Sequence, residues 1–296
     1  MRYPKDSLHL GREHDYPLLR QLAHSRCATR SQLFEYMQLR GCSECRRSFN
    51  WRTQRLIQHD LVSRRTVPAL GAEYVYALTT HGAVTLEEIE QRFSLSLSAD
   101  RNQGEDLSVI HSVELNNIEL RVAKAGLLAR WIPEAEIRSE NALTNLAYKK
   151  EYDAVVTLRL GSREVTFALE YERTPKSRSK YDKIAEDMCR EANVDHFLYL
   201  TANEHLLRFA SWSFRDLQRR VYFGLVTDWY RQLLDMPAFS WKAKRYVPLK
   251  TCLLNDGAAP SELFPVLVPN DNGSSTEPTQ SSLKTNGTWP EAPDVG

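Results

Sequence analysis

The sequence predicts an α+β protein of two domains followed by a polar tail, and three observations carry that prediction. Apolar residues recur at helical spacing up to about residue 60 and then alternate in two short runs. Past residue 107 the pattern reads helix, three strands, helix, strand. From about residue 255 aliphatic side chains give way to Ser, Thr, Asn, Gly and Pro, so residues 255–296 are expected to be a disordered tail that buries too little apolar surface to fold. A length of 296 residues suffices for two cores of ordinary size. The 42% hydrophobic and 26% charged residues are those of a soluble globular chain, and no apolar run approaches the roughly 20 residues that cross a bilayer, so no membrane partner is expected. Met1-Arg-Tyr-Pro-Lys-Asp-Ser7 has no apolar stretch or small-residue cleavage site, and five scattered cysteines make no disulfide framework. The expectation is a cytoplasmic protein with reduced thiols.

The N-terminal elements follow in order. Leu18, Leu19, Leu22 and Ala23 mark a first helix over residues 15–26, with Asp15 placed to cap it and Pro17 in its first turn. Thr29 or Ser31 caps a second helix carrying Leu33, Phe34, Met37 and Leu39, which Gly41 stops. A third runs from Ser43 to about Asp60 with Phe49, Leu56 and Ile57 turned inward. Residues 61–67 and 74–78 then read as short strands around Pro68-Ala-Leu-Gly71-Ala, and Thr79 or Thr80 opens another helix. Three helices, a hairpin and a helix is the order of a winged helix-turn-helix, here residues 10–92, with residues 93–106 as a polar linker.

A net charge of +1 says nothing about nucleic acid, so local charge has to carry that argument. The third helix exposes Arg46, Arg47, Asn50, Gln54 and Arg55, with Arg52 nearer the core, and Arg64 and Arg65 begin the hairpin. Arginine holds phosphates or guanine and Asn or Gln reads adenine, so such a helix both anchors on duplex DNA and discriminates its sequence. Arg55-Leu-Ile-Gln-His-Asp60-Leu-Val62 and Tyr76-Ala-Leu-Thr-Thr-His-Gly82 resemble the helix-to-wing and wing-exit segments of winged-helix DNA-binding proteins. Asp60 stands where glycine is usual, and it tolerates the left-handed conformation better than most residues. Cys42-Ser-Glu-Cys45 has zinc-ligand spacing, but no second pair follows and only His59 is at hand downstream, so both thiols read as helix-flanking residues.

In the second region, residues 107–254, a long helix over residues 107–125 precedes strands at 127–138, 154–160 and 164–172. A helix at 177–192, a strand at 197–201 and a helix at 204–220 follow. Gly161-Ser162 suits a two-residue hairpin turn; if Leu160 pairs with Arg163, Asp153 lies opposite Glu170, and alternation puts Glu172 on the same face while Phe167, Leu169 and Tyr171 take the other. Carboxylates facing one another need a positive partner, either a hard cation such as Mg2+ or the side chains of Arg173, Lys149 or Lys150.

An aspartate ending one hairpin strand and Glu-X-Glu in the next resembles the PD-(D/E)XK nuclease fold, although Glu172 occupies the lysine position of that motif. The resemblance implies Asp153, Glu170 and Glu172 as magnesium ligands, joined by Glu114 or else Glu119 from the long helix. Lys176 or Lys180 would supply the missing base, and Lys176, Arg178, Lys180 and Lys183 could hold phosphates. With His111-Ser-Val-Glu-Leu-Asn-Asn117 and Leu169-Glu-Tyr-Glu-Arg-Thr174, residues 10 to about 220 resemble the plasmid replication-relaxation family. Its members join a winged helix to a nuclease-like domain, bind plasmid or mobile-element DNA and work beside a relaxase or other mobilisation protein. Two functions follow from this: a DNA-binding accessory protein without chemistry, compatible with a homodimer, and a magnesium-dependent DNA endonuclease aimed by its winged helix.

Overall fold

A computed structural model describes residues 9–43, 45–90, 106–143 and 148–254. The expected tail, and all of the expected linker except Asp106, lie outside the described residues.

The N-terminal elements are α1 (Asp15–Ser25), β1 (Cys27–Thr29), α2 (Arg30–Leu39), α3 (Arg46–Gln58), β2 (Val62–Thr66), β3 (Tyr74–Leu78) and α4 (Thr80–Glu90). Thr29 caps α2: its side chain accepts from the Gln32 N–H while the Gln32 side chain accepts from the Thr29 N–H, closing both ends of a capping box. Asp15 is the first helical residue of α1 instead of its cap, and its carboxylate accepts from the Gly11 N–H at 2.7 Å. The strand β1 went unread because three residues show no period; it pairs with β3, giving a sheet of order β1-β3-β2. Asp60 adopts φ +54°, the left-handed turn its position requires. Gly82 in α4 sits against the Leu61 carbonyl so closely that a Cβ would lie 2.0 Å from the oxygen.

The remaining elements are α5 (Asp106–Lys124), β4 (Leu128–Pro133), α6 (Glu134–Leu143), β5 (Ala154–Leu160), β6 (Arg163–Glu172), α7 (Arg178–Arg190), β7 (His196–Thr201), α8 (Glu204–Ser213), β8 (Arg220–Leu225), α9 (Val226–Gln232), β9 (Pro237–Ser240), β10 (Arg245–Pro248) and α10 (Leu249–Leu254). The run expected as one strand over 127–138 is half strand and half helix. Pro133 ends the ladder and Glu134 and Glu136 fill the first turn of α6, where acidic side chains suit the helix dipole. Residues 204–220 likewise divide, because α8 stops at Ser213 and Arg220 starts a strand.

These strands form one mixed sheet of order β10-β9-β8-β7-β6-β5-β4. β4, β5 and β6 run antiparallel in sequence, and β6, β7 and β8 run parallel through the crossover helices α7 and α8. Gly161 at φ +66° makes the β5–β6 turn, and the ladder runs from Leu160↔Arg163 to Ala154↔Leu169, the expected register. Helices cover both faces, so the central strands are apolar on both. Val156, Phe167, Leu169 and Leu198 meet α5, α9 and α10, while Val155, Ala168, Phe197 and Phe223 meet α6, α7 and α8.

One helix serves both regions. Ile118 and Val122 of α5 belong to the core of the large sheet, whereas Val109, Ile110 and Val113 pack with Cys27, Val67 and Val75, and Leu120 joins the core of α1, α2 and α3. Hydrogen bonds fix the same seam: Gln32 donates to the buried Val113 carbonyl and to the exposed Asn117, Asn116 donates to the Cys27 carbonyl, and the Tyr36 hydroxyl donates to Glu119, each at 2.7 Å. The buried pairs of this seam would each leave an unpaired buried group if the two regions slid past one another. The described residues accordingly fall within one compact unit.

Candidate functional site

The helix α3 buries Phe49, Thr53 and Leu56; the Thr53 hydroxyl donates to the Phe49 carbonyl, which lets a polar residue share the inner stripe. Arg46, Arg47 and Gln54 are exposed, and Asn50 is half-buried and accepts from Arg30 at 3.1 Å. Arg52 and Arg55 depart from their expected DNA-facing role. Both turn back to Asp15, Arg52 at 3.6 Å and Arg55 in closer contact, because that carboxylate, 3% exposed at the base of α1, requires a counter-charge. On the neighbouring hairpin Arg64 is exposed, its guanidinium 4.9 Å from the Tyr74 ring, whereas Arg65 is half-buried and faces Asp106 at 3.8 Å.

The second site lies where β5 begins and β6 ends. Extending the register by one step sets Asp153 opposite Glu170, with Glu172 two residues along on the same face. Side-chain exposure is only 4% at Glu170 and 5% at Glu172, so each needs a partner, and each has a different one. The ammonium of Lys150 sits on Glu170, and that of Lys176 donates to Glu172 at 2.6 Å. Asp153 accepts from the Tyr171 N–H at 2.7 Å and lies 3.1 Å from His111 Nε2.

Environment drives the two facing carboxyls apart. Burial opposes ionisation of Asp153, but His111, Lys150 and the Tyr171 N–H outweigh it and bring the group down to about 2. Burial and the Asp153 charge together push Glu170 above its ordinary value in spite of Lys150. His111 and Lys150 are both raised, since the carboxylates overcome the burial that disfavours their charged forms.

The expected residues therefore divide. Asp153, Glu170, Glu172 and Lys176 come together; Lys180, Arg178 and Lys183 lie on the exposed side of α7. Glu114 is held by Arg173 at 2.8 Å, and Glu119 faces the other way, to Tyr36 and His24. The α5 residue that reaches Asp153 is His111, one turn before Glu114, and sequence reasoning missed it although the segment around it was singled out. It placed Lys150 only as a charge partner; its position three residues before Asp153 was the available signal. For a cation, the oxygen donors suit magnesium, yet Lys150 and Lys176 now neutralise the charge a metal would. Among the described residues no three His, Cys, Asp or Glu side chains gather as a metal-holding group, and no helix is long and apolar enough to cross a membrane. No family model, curated protein or solved structure matches the chain.

Proposed function

We propose that the protein binds duplex DNA through a winged helix formed by α1 to α4 and acts as an accessory factor of the plasmid replication-relaxation type, beside a relaxase or other mobilisation protein. The observation that carries this reading is the face of α3: Arg46, Arg47 and Gln54 exposed on a helix without a single Asp or Glu, next to a hairpin that exposes Arg64. A helix of that composition is matched to a polyanion, and its amide to a base edge. The test is duplex binding as a function of salt. The triple variant Arg46→Ala, Arg47→Ala, Arg64→Ala is expected to flatten the log–log slope by about 0.9 for each phosphate that is no longer neutralised. An unchanged slope in the folded variant would remove this face as the DNA-binding element.

A second reading, a magnesium-dependent endonuclease, is favoured by one observation: Asp153 faces Glu170 beside the half-buried Lys150, on a β5–β6 hairpin followed by a helix and a parallel strand, as in PD-(D/E)XK nucleases, although α6 interrupts the expected run of three strands. Asp153, Glu170 and Glu172 would hold the ion only by giving up the ammonium groups of Lys150 and Lys176 and drawing together; when bound, it would lower the pKa of a water and neutralise developing negative charge. The chain's own contribution is Lys150, a cation that stands in for the lysine missing at position 172, and His111, which holds Asp153. Incubation with supercoiled plasmid tests it: magnesium-dependent nicking lost in both Asp153→Ala and Glu170→Ala supports catalysis. No cleavage, with no rise in Tm on adding magnesium, leaves the accessory role alone.

A further inference from the structure

The outward stripe of α3 runs Arg47, Trp51, Gln54, Gln58, at the spacing that keeps side chains on one face of a helix. Trp51 stands at its centre and is 65% exposed, more than any other exposed large hydrophobic residue among the described residues. Left in water, an indole adds little to folding; buried against a partner, it is among the most productive contacts a surface offers. It is also held in place. The Arg55 guanidinium lies 5.3 Å from the ring centroid, and Arg55 is itself fastened to the buried Asp15, so the ring has little freedom left to lose on binding. The Asp15 bracket thus gives Arg55 a use other than holding phosphate.

Charge identifies the occupant. Arg46 and Arg47 are exposed on α3 and no carboxylate lies on it, so a second copy meeting the same patch across a two-fold axis would set arginines against arginines with nothing to pair them. A polyanion meets no such penalty. Resting on the DNA-binding reading above, we propose that Trp51 is the base-reading residue of α3, its apolar edge packed on a thymine 5-methyl group in the major groove while Arg47 holds a phosphate. The methyl is the one apolar group that base edges present there, and the groove is wide enough to admit a helix.

The experiment selects the preferred sequence from a pool of duplexes with a randomised centre, using the full chain and its variants. The wild type is expected to enrich thymine at one or two adjacent positions. Trp51→Ala should lose that enrichment and bind the wild-type-selected duplex about tenfold more weakly with the salt slope unchanged, because packing on a methyl group releases no counterions. Trp51→Phe should keep part of the preference. Arg47→Ala should do the reverse, lowering the slope and leaving the enriched bases as they were. A wild type that enriches no thymine, or a Trp51→Ala variant that enriches the same bases with the same affinity, would overturn the proposal. So would a Trp51→Ala variant that binds DNA normally and sediments as a smaller species, since Trp51 would then be a protein contact. If the wild type binds no duplex in the pool, the DNA-binding reading itself fails; if it binds and Trp51→Ala is indistinguishable from it, only the role of Trp51 does.

Discussion

On α3 Arg46 and Arg47 are exposed, the Arg46 guanidinium lying over the face of Phe34 at 4.8 Å, whereas at the start of β5 and the end of β6 the ammonium groups of Lys150 and Lys176 are turned onto Glu170 and Glu172. Both regions read as charged in the sequence, and the difference between them is burial. An exposed cation costs the fold almost nothing and stays available to a polyanion. A buried carboxylate demands a counter-charge, so its cation is committed before any ligand arrives.

The largest effect is expected where that commitment is strongest. Lys150→Met removes the counter-charge from Glu170 and should destabilise the protein by about 3 kcal/mol in urea unfolding, the scale of breaking a buried pair from one side. Adding Glu170→Gln to it should restore most of the loss, because an amide needs no cation. A Lys150→Met variant as stable as the wild type would mean that the ammonium is no structural partner of Glu170, and the contrast with α3 would break.

A pH profile sharpens the comparison at the seam between the regions. His24 lies 3.2 Å from Glu119 and 3.3 Å from Glu136; burial disfavours its charged form, but the two carboxylates raise it from 6.5 to about 9. A histidine whose folded value is raised contributes stability that is complete below the unfolded value, near 6.5, and that disappears as pH rises through 9. Urea unfolding should accordingly show a decline of roughly 1–3 kcal/mol between pH 6.5 and 9. His24→Gln should flatten the profile in that window; a parallel profile would remove His24 as its origin.

The smallest effect belongs to α3. The variant lacking Arg46, Arg47 and Arg64 should unfold within about 0.5 kcal/mol of the wild type per site, even as its DNA salt slope falls. Loss of stability comparable to that of Lys150→Met would show that these arginines serve the fold.

What the sequence determined by itself was local and periodic. The helical stripe of α1 to α3 and the register that opposes Asp153 to Glu170 follow from residue spacing and turn chemistry, which act over a few residues, and the left-handed position of Asp60 from the resemblance of its segment to ones with glycine there. Three decisions needed the tertiary structure. Arg52 and Arg55 sit on the basic helix like Arg46 and Arg47, but Asp15, about 40 residues earlier, decides that they face inward. The helix partner of Asp153 is His111 instead of Glu114 or Glu119, because which side of a long helix meets a strand end depends on how two cores share it. Of Arg173, Lys149 and Lys150, the cations the sequence offers to the facing carboxylates, it is Lys150 that stands on the buried Glu170 while Arg173 goes to Glu114, since a desolvated carboxylate recruits the cation that the surrounding packing brings within reach.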